Sequence, residues 1–355
     1  MAESGIWGYF SSTVNVYSKR MAGTMATIKS VAEQAGVSIA SVSRVINGAP
    51  ARGETEERVW KAIKALDYQP NSAARALKVR KSEQICLSFD DLANPAYAMM
   101  TRGVGQSLSA TGFRLVLASA FSSVEEIVKH LETMGRGFAD GLIISPIYSD
   151  KRITKLLSNL QIPVVVIGTL PEGIDADNVW VDSAAGVATA VVHLKSIERK
   201  KMGFLNGPLS TNPGRKRMAA FQNALTQNSL KSIPGNIIQA DAFSPEAGLK
   251  AMLNSDNIKD FDSIICANDQ LAAGLMKYCV EKKIDIPSDL AIVGIDNTDL
   301  SSLMRPTLTS IDLHAEQRGA IAAQLMLERL SDPKRPTQKI VVEPTLIVRE
   351  TTECK

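Results

Sequence analysis

Cysteine and histidine are scarce in this 355-residue chain, which contains four cysteines and three histidines. The cysteines (Cys86, Cys266, Cys279 and Cys354) are scattered and form no CxxC pair, so the sequence predicts neither a disulfide framework nor a zinc site. The histidines have no metal-ligand spacing either. We therefore expect no metal and no cofactor, and we expect Cys86 and Cys266, which lie in apolar runs, to be small core residues.

Residue patterns typical of enzymes are also missing. Asp90 and Asp91 are adjacent carboxylates, but neighbouring residues of an extended segment point in opposite directions and do not form a catalytic pair. Gly103 and Gly105 lie in a helical pattern and lack the third glycine of a phosphate-binding loop. The segment 208–211 follows a predicted strand but offers no base to activate its hydroxyls. We interpret the chain as a non-enzyme.

Long apolar segments are absent as well, since no run approaches the roughly 20 residues that a membrane-spanning helix needs. Residues 1–24 do not look like a secretory signal, because Glu3 stands where positive charge is expected and polar residues interrupt any apolar stretch. We expect a cytoplasmic protein with no membrane partner. The same segment has no helical or strand periodicity, which predicts a disordered extension, and Met25 offers a second possible start.

Charge is unevenly distributed along the chain, although the net charge is only +3. Between Met25 and Ser82, ten lysines and arginines stand against five aspartates and glutamates. The residues from 83 onward carry a small net negative charge. A basic N-terminal region on a slightly acidic body indicates a polyanionic partner at one end only.

Residues from Thr27 to about Leu66 have the periodicity of three amphipathic helices. Gly36 permits the positive φ of a tight turn after the first helix, and Ser38 is a suitable N-cap for the second. The Asn47-Gly48 pair ends the second helix. The apolar residues of the three helices are expected to form one small core: Ile28, Val31, Ala32 and Ala35; Val42, Val45 and Ile46; and Val59, Ile63 and Leu66.

Helix, glycine turn and helix is the arrangement of a helix-turn-helix motif. The segment 27–47, TIKSVAEQAGVSIASVSRVIN, strongly resembles the N-terminal signature of the LacI/GalR family of repressors. The resemblance implies that the second helix enters the major groove, where Arg44 can form two hydrogen bonds with a guanine and serine hydroxyls reach phosphates. The DNA contacts predicted in this segment are Thr27, Ser38, Ile39, Ala40, Ser41, Ser43, Arg44 and Asn47.

The following segment, YQPNSAARALK (68–78), looks like the hinge of the same family. Pro70 is expected to end the third helix, and a short new helix follows that is marginal in isolation. The resemblance implies that hinge helices from the two subunits of a homodimer pair in the minor groove, where Leu77 wedges between base steps and kinks the DNA. The contacts predicted here are Asn71, Ala74, Leu77 and Lys78. We assign residues 71–82 to hinge and linker.

From Ser82 onward, short apolar runs alternate with helical stretches. We predict strands at 85–89, 115–118, 141–144, 164–167, 203–206, 263–267 and 291–295. Near-continuous apolar strands separated by helices predict parallel sheets covered on both faces, and a segment of this length predicts two lobes. The predicted fold is thus an all-α helix-turn-helix head (residues 25–70) followed by an α/β two-lobed core with parallel sheets (residues 83–355).

This core resembles the regulatory domain of the LacI/GalR family, which is similar to periplasmic sugar-binding proteins, over nearly all of residues 83–350. Ligands of such folds lie beyond the carboxyl ends of strands. The effector contacts implied by the resemblance are Tyr97, Arg217, Phe243, Asn268 and Asp296. A carboxylate, an amide, a guanidinium and an aromatic face suit a polyhydroxylated ring. Asp269 is expected to be a structural cap between a strand and a helix.

The core departs from the family pattern at two places. Gly168-Thr169 follows the strand 164–167 where many relatives have an aspartate, so one expected hydroxyl-binding carboxylate is missing. The segment 196–199, Ser-Ile-Glu-Arg, replaces the usual Leu-Gly-His-Arg turn.

We interpret the chain as a homodimeric repressor that binds a pseudo-palindromic operator and whose operator affinity is set by a small carbohydrate-like effector. The alternative is a regulator of the same build that responds to a nucleobase or a phosphorylated metabolite. A solute-binding protein of a transporter would share the core, but it would have no use for a basic head and would need a signal peptide.

Overall fold

The computed structural model describes residues 26–69, 81–119, 123–255 and 258–353. The chain divides into two compact units with the boundary between Arg80 and Lys81. The extension predicted for residues 1–24 and hinge residues 71–80 lie outside the described residues. Within the described part of the chain, no helix is long and apolar enough to cross a membrane.

Three helices build the first unit: α1 (Ile28–Ala35), α2 (Ile39–Ile46) and α3 (Gly53–Ala65). Gly36 follows α1 with a left-handed φ of 63°, as expected for the turn. The Ser38 hydroxyl caps α2 by accepting a 3.1 Å hydrogen bond from the Ser41 backbone nitrogen. The buried core holds Val31, Ala32, Ala35, Val42, Val45, Val59 and Ala62.

The end of α3 differs from our expectation. The helix ends at Ala65, well before Pro70, so the proline is not what terminates it. Asp67 has a φ of 47°, and this left-handed conformation cannot continue a right-handed helix.

The second unit is an α/β structure. Its strands are β1 (Gln84–Phe89), β2 (Arg114–Ser119), β3 (Gly141–Ile144), β4 (Val164–Ile167), β5 (Asp177–Val181), β6 (Met202–Asn206), β7 (Ile237–Gln239), β8 (Ser263–Cys266), β9 (Ala291–Ile295), β10 (Thr309–Asp312), β11 (Lys339–Val342) and β12 (Thr345–Ile347). Its helices are α4 (Pro95–Leu108), α5 (Val124–Met134), α6 (Lys151–Asn159), α7 (Ser183–Ser196), α8 (Asn212–Gln227), α9 (Pro245–Leu253), α10 (Asp269–Lys282), α11 (Asp299–Leu303) and α12 (Ala315–Ser331), with a 3₁₀ turn at Ile258–Asp260.

These strands form two six-stranded sheets, one in each lobe. The order is β11-β5-β4-β3-β1-β2 in lobe 1 and β12-β10-β9-β8-β6-β7 in lobe 2. All pairs in lobe 1 are parallel, and in lobe 2 only the β10–β12 pair is antiparallel. The predicted two-lobed architecture with parallel sheets is therefore confirmed.

The chain passes between the lobes three times. It leaves lobe 1 between β5 and α7, returns between β10 and α12, and leaves again between β11 and β12. Neither lobe is therefore a continuous stretch of sequence.

Both faces of the lobe 1 sheet are covered because side chains alternate along a strand. Ile85, Leu87 and Phe89 pack on one side with residues of α4 and α12. Cys86 packs on the other side with residues of α5 and α6, and its burial raises the pKa of the thiol to about 12. The expected core positions of Cys86 and Cys266 are both found buried.

The helices α4 and α12 cross unusually closely. A Cβ atom at Gly103 of α4 would overlap the carbonyl oxygen of Glu316, and one at Gly319 of α12 would overlap the carbonyl oxygen of Met100. Each glycine thus lets the backbone of one helix lie against that of the other.

Candidate functional site

The α2 helix of the first unit presents an exposed face that suits a DNA groove. Val42 and Val45 are buried, whereas Ala40 and Arg44 are exposed and Ile39 keeps 46% of its surface in solvent. The Arg44 guanidinium makes no hydrogen bond or ion pair with any described residue. Ile39, Ala40 and Arg44 therefore point away from the small core. The Arg44 guanidinium remains available to bind a base.

Several other residues predicted to touch DNA have hydroxyls or amides that already make local bonds. Thr27 caps α1 by accepting a 3.2 Å hydrogen bond from the Ser30 nitrogen. The Ser41 hydroxyl lies 2.9 Å from that of Ser38, and the Asn47 amide donates a 2.6 Å hydrogen bond to the Ser43 carbonyl. The first of these bonds fixes the start of α1, and the other two fix the two ends of α2. They thereby hold the exposed face of α2 in place.

A cavity of about 760 Å³ lies between the two lobes of the second unit. Its size is in the range of small-molecule sites. The five predicted effector contacts, Tyr97, Arg217, Phe243, Asn268 and Asp296, all line it. Tyr97, Phe243, Asn268 and Asp296 come after the carboxyl ends of β1, β7, β8 and β9, and Arg217 lies on the helix that follows β6. Ligands of parallel α/β sheets bind at these ends of the strands.

Arg217 and Asp296 form the charged centre of this cavity. Both are buried, and Arg217 Nη2 lies 3.8 Å from Asp296 Oδ1. Arg217 Nη1 donates to the Ala267 carbonyl, and its buried Nε has no hydrogen-bond partner among the described residues. Burial raises the pKa of Asp296, and the nearby guanidiniums of Arg217 and Arg318 oppose that shift. The pair therefore leaves a donor and a carboxylate for a bound molecule.

Tyr97 is held firmly in the first turn of α4. Its ring stacks on Phe89 with a centroid distance of 4.4 Å, and its hydroxyl donates a 2.7 Å hydrogen bond to Asp90 Oδ1. Burial raises the pKa of both groups, and the neighbouring Asp90 carboxylate raises that of Tyr97 further. Tyr97 lines the cavity as a rigid wall with its hydroxyl already bonded.

The Phe243 ring packs closely against Gly207, where any Cβ would overlap the ring. Asn268 supports the same loop, because its side-chain nitrogen donates a 3.2 Å hydrogen bond to the Phe243 carbonyl. The Asn268 Oδ1 accepts a 2.8 Å hydrogen bond from the Leu271 nitrogen and so caps α10. Asn268 thus lines the cavity while holding the loop that carries the aromatic ring.

Asp269 is not the cap that we expected, because Asn268 takes that place. The buried Asp269 carboxylate instead accepts hydrogen bonds from Thr298 N (2.7 Å), Thr298 Oγ1 (2.9 Å) and Ser310 Oγ (2.6 Å). These bonds hold the turn after β9, in which Asp296 and Asn297 have φ values of 107° and 49°. Asp269 therefore fixes a strained backbone that carries Asp296.

Sequence patterns gave no sign of two further basic residues of the cavity. Arg318 lies on α12, and its Nε donates a 2.8 Å hydrogen bond to the Leu313 carbonyl. Burial lowers its pKa to about 10. Lys216, beside Arg217 on α8, also lines the cavity. An amphipathic helix pattern does not separate such residues from ordinary surface charge. Among the described residues, no group of three or more His, Cys, Asp or Glu could hold a metal ion.

Comparisons with known proteins agree with both units. The family of bacterial regulatory proteins of the lacI type matches residues 27–71, and a periplasmic binding protein-like domain matches residues 191–352. The chain is 33% identical over 329 residues to the HTH-type transcriptional repressor PurR of Erwinia tasmaniensis, a match that covers 92% of this chain and 96% of that protein.

Solved structures share the same architecture. A lac repressor dimer bound to operator and the anti-inducer ONPF matches with a TM-score of 0.81 and 26% identity, over 93% of this chain and all of that one. The complex of the transcriptional regulator CelR with cellobiose matches with a TM-score of 0.70 and 26% identity, over 92% of this chain and 99% of that one. The helix-turn-helix unit, the two-lobed core and these relatives together place this chain in the LacI family of bacterial transcription regulators.

Proposed function

We propose that this member of the family is a homodimeric repressor that binds a pseudo-palindromic operator, with an affinity set by a small molecule in the cavity between its lobes. The observation that supports this most is that one chain carries both an exposed Arg44 on α2, without a partner among the described residues, and a polar cavity built around Arg217 and Asp296. The first suits base recognition, and the second suits a small ligand.

For the effector we propose a polyhydroxylated ring. Asp296 supplies acceptors, Arg217 supplies an Nε donor that has no partner among the described residues, and Phe243 supplies an apolar surface for C–H groups. The structurally similar CelR was solved with cellobiose, which has this chemistry. A nucleobase is the second candidate, since a flat ring could stack on Phe243 and present its N–H groups to Asp296.

The DNA part of the proposal is tested at Arg44. The wild-type chain first selects its operator from a randomised palindromic DNA pool. Arg44→Ala should then lower the preference for that operator over random DNA by about 1–3 kcal/mol, while weak, salt-sensitive binding remains. Equilibrium binding at two salt concentrations measures both terms.

Lys61→Ala is the matched control, because it removes one exposed positive charge from α3 instead of α2. It should weaken binding to operator and to random DNA alike. If Arg44→Ala also weakened both by the same factor, Arg44 would contact only phosphate and the recognition role would be wrong.

The effector part is tested by a thermal-shift screen of sugars and nucleobases with the full chain. A ligand at 100 times its dissociation constant should add about 2.7 kcal/mol of stability. Any compound that binds is then tested for its effect on operator affinity. A cavity ligand that leaves operator affinity unchanged would contradict the proposal.

A further inference from the structure

Lys216 stands out among the cavity residues because its ammonium group reaches across the cleft. It belongs to α8 of lobe 2, and its Nζ donates a 3.0 Å hydrogen bond to the Thr169 hydroxyl, which follows β4 of lobe 1. The backbone nitrogen of Asn212, near the start of α8, also donates a 2.6 Å hydrogen bond to the Ile147 carbonyl of lobe 1. The contact with Thr169 is therefore made where the two lobes already meet.

No carboxylate of a described residue lies within ion-pair distance of the Lys216 ammonium. The acidic residues that line the cavity have other partners: Asp90 accepts from Tyr97, Asp91 from the Ala93 nitrogen, Asp182 from the first nitrogens of α7, Asp241 from Lys250, and Asp296 faces Arg217. An ammonium group has three donors, and Lys216 uses one of them on a neutral hydroxyl. This corner of the cavity therefore carries a positive charge without a neighbouring negative one.

The rest of the wall has donors to spare as well. The buried Arg217 Nε has no partner among the described residues, and Arg318 uses its Nε on a backbone carbonyl. Lys216 differs from both arginines because it is exposed to solvent and its flexible stem can follow a ligand.

We propose that Lys216 binds an anionic substituent on the effector, so that the effector is a sugar acid or a phosphorylated sugar and not a neutral sugar. This inference rests on the proposed function, since it takes the cavity to be the effector site. A charge-assisted hydrogen bond to a carboxylate or phosphate is about twice as strong as one between neutral partners, so an anion would displace the Thr169 hydroxyl from Lys216. Neutral hydroxyls of the same ring remain for Asp296 and Arg217.

The test compares compounds that share one ring. Glucose, glucuronate and glucose 6-phosphate form one set, and the galactose and mannose equivalents form two more. Binding to the full-length chain is measured by calorimetry at low and high salt. At least one charged compound should bind at least about tenfold more tightly than its neutral parent, as one hydrogen bond to a charged group allows. Its affinity should fall with salt.

Lys216→Met keeps the aliphatic stem and removes the charge. It should abolish most of the preference for the charged compound and most of its salt dependence, and it should weaken binding of the neutral parent much less. Lys155→Met, at an exposed lysine of α6 outside the cavity, is the control and should change neither. The carboxylate and phosphate members of each set identify which anion Lys216 takes.

Three results would overturn the assignment: a neutral parent that binds as tightly as its charged forms, an equal loss for all three compounds in Lys216→Met, or no binding by any charged compound. None of these results would change the outcome of the DNA-binding test at Arg44. A neutral sugar or a nucleobase that binds and alters operator affinity would reject the anion and leave the regulator proposal intact.

Discussion

Asp269, which holds the turn that carries Asp296, has a raised pKa and should make the stability of the core depend on pH. Burial, together with the nearby Asp296 carboxylate, raises the pKa of Asp269 to about 7, although its hydrogen bonds from Ser310 and Thr298 act in the opposite direction. In an unfolded chain an aspartate has a pKa of about 3.9. Between these values the folded protein holds a proton that the unfolded chain releases. The stabilisation from this group is thus complete below the unfolded pKa and is lost as pH rises through 7.

Asp269→Asn should therefore flatten the pH dependence of the melting temperature between pH 5 and pH 8. The amide keeps the shape of the side chain, accepts from Thr298 and donates to Ser310. Thermal unfolding of the wild type and the variant across this range measures the difference. Asp260→Asn, at an exposed acid, is the control. Parallel curves for wild type and Asp269→Asn would contradict the assignment of the proton to Asp269.

The same position shows what sequence could not provide for the site. Asn268 and Asp269 are both good N-caps, so only the packing of β9 and β10 decides that Asn268 caps α10 and Asp269 holds the next turn. Arg217 and Asp296 were predictable because a family motif marks them. Arg318 was not, because its place in the cavity depends on the return of α12 to lobe 1. The roles of Asn71, Ala74, Leu77 and Lys78 stay predictions.

At the scale of elements, the crossing of α4 and α12 depends on the absence of two side chains. Gly103→Ala should destabilise the core by about 1–3 kcal/mol or more, because the new methyl group overlaps the Glu316 backbone, which cannot move aside as a side chain can. Chemical unfolding measures the change in free energy.

Gly105→Ala, on the same helix, provides the matched control. Its Cβ would meet only the Leu115 side chain at 3.9 Å, an ordinary contact. Alanine is the better helix former by about 1 kcal/mol, so this variant should be neutral or stabilised. Equal destabilisation by both substitutions would mean that the loss at Gly103 does not come from overlap with the Glu316 backbone at the crossing.

Prediction of elements succeeded where the burial pattern was simple. The sequences of β1, β3, β8 and β9 are largely apolar at successive positions, which predicts central strands that are buried on both faces. The edge strands β7, β11 and β12 were missed because they are short and partly exposed. β10 was missed because the polar residues in TSID are buried through hydrogen bonds, such as that of Ser310 to Asp269.

At the scale of the whole molecule, the proposed coupling between head and core makes a reciprocal prediction. Asp296→Ala should weaken effector binding and leave operator affinity without effector near normal, because it changes the cavity of the core and no predicted DNA contact. Leu77→Ala should weaken operator binding and DNA bending and leave effector binding to the core intact.

Bound operator should also change effector affinity in the wild type by the same factor as effector changes operator affinity.

Calorimetric titration of the effector with and without operator DNA measures that factor. A gel-based bending assay checks the Leu77→Ala variant. If operator left effector affinity unchanged in the wild type, the core would not control the head.

The three passages of the chain between the lobes also determine the order in which the lobes can be completed during translation. Translation delivers β1 to β5 early, but α12 and β11, which complete lobe 1, come only after most of lobe 2. Until then β5 has one unpaired edge, and the sheet face that Ala322, Leu325 and Met326 will cover stays open. Unpaired edges and exposed apolar faces promote aggregation, so we expect the incomplete lobe 1 to be prone to aggregation until α12 and β11 are in place. A message cut short before residue 342 therefore yields no complete lobe, and no half-built subunit with a working cleft.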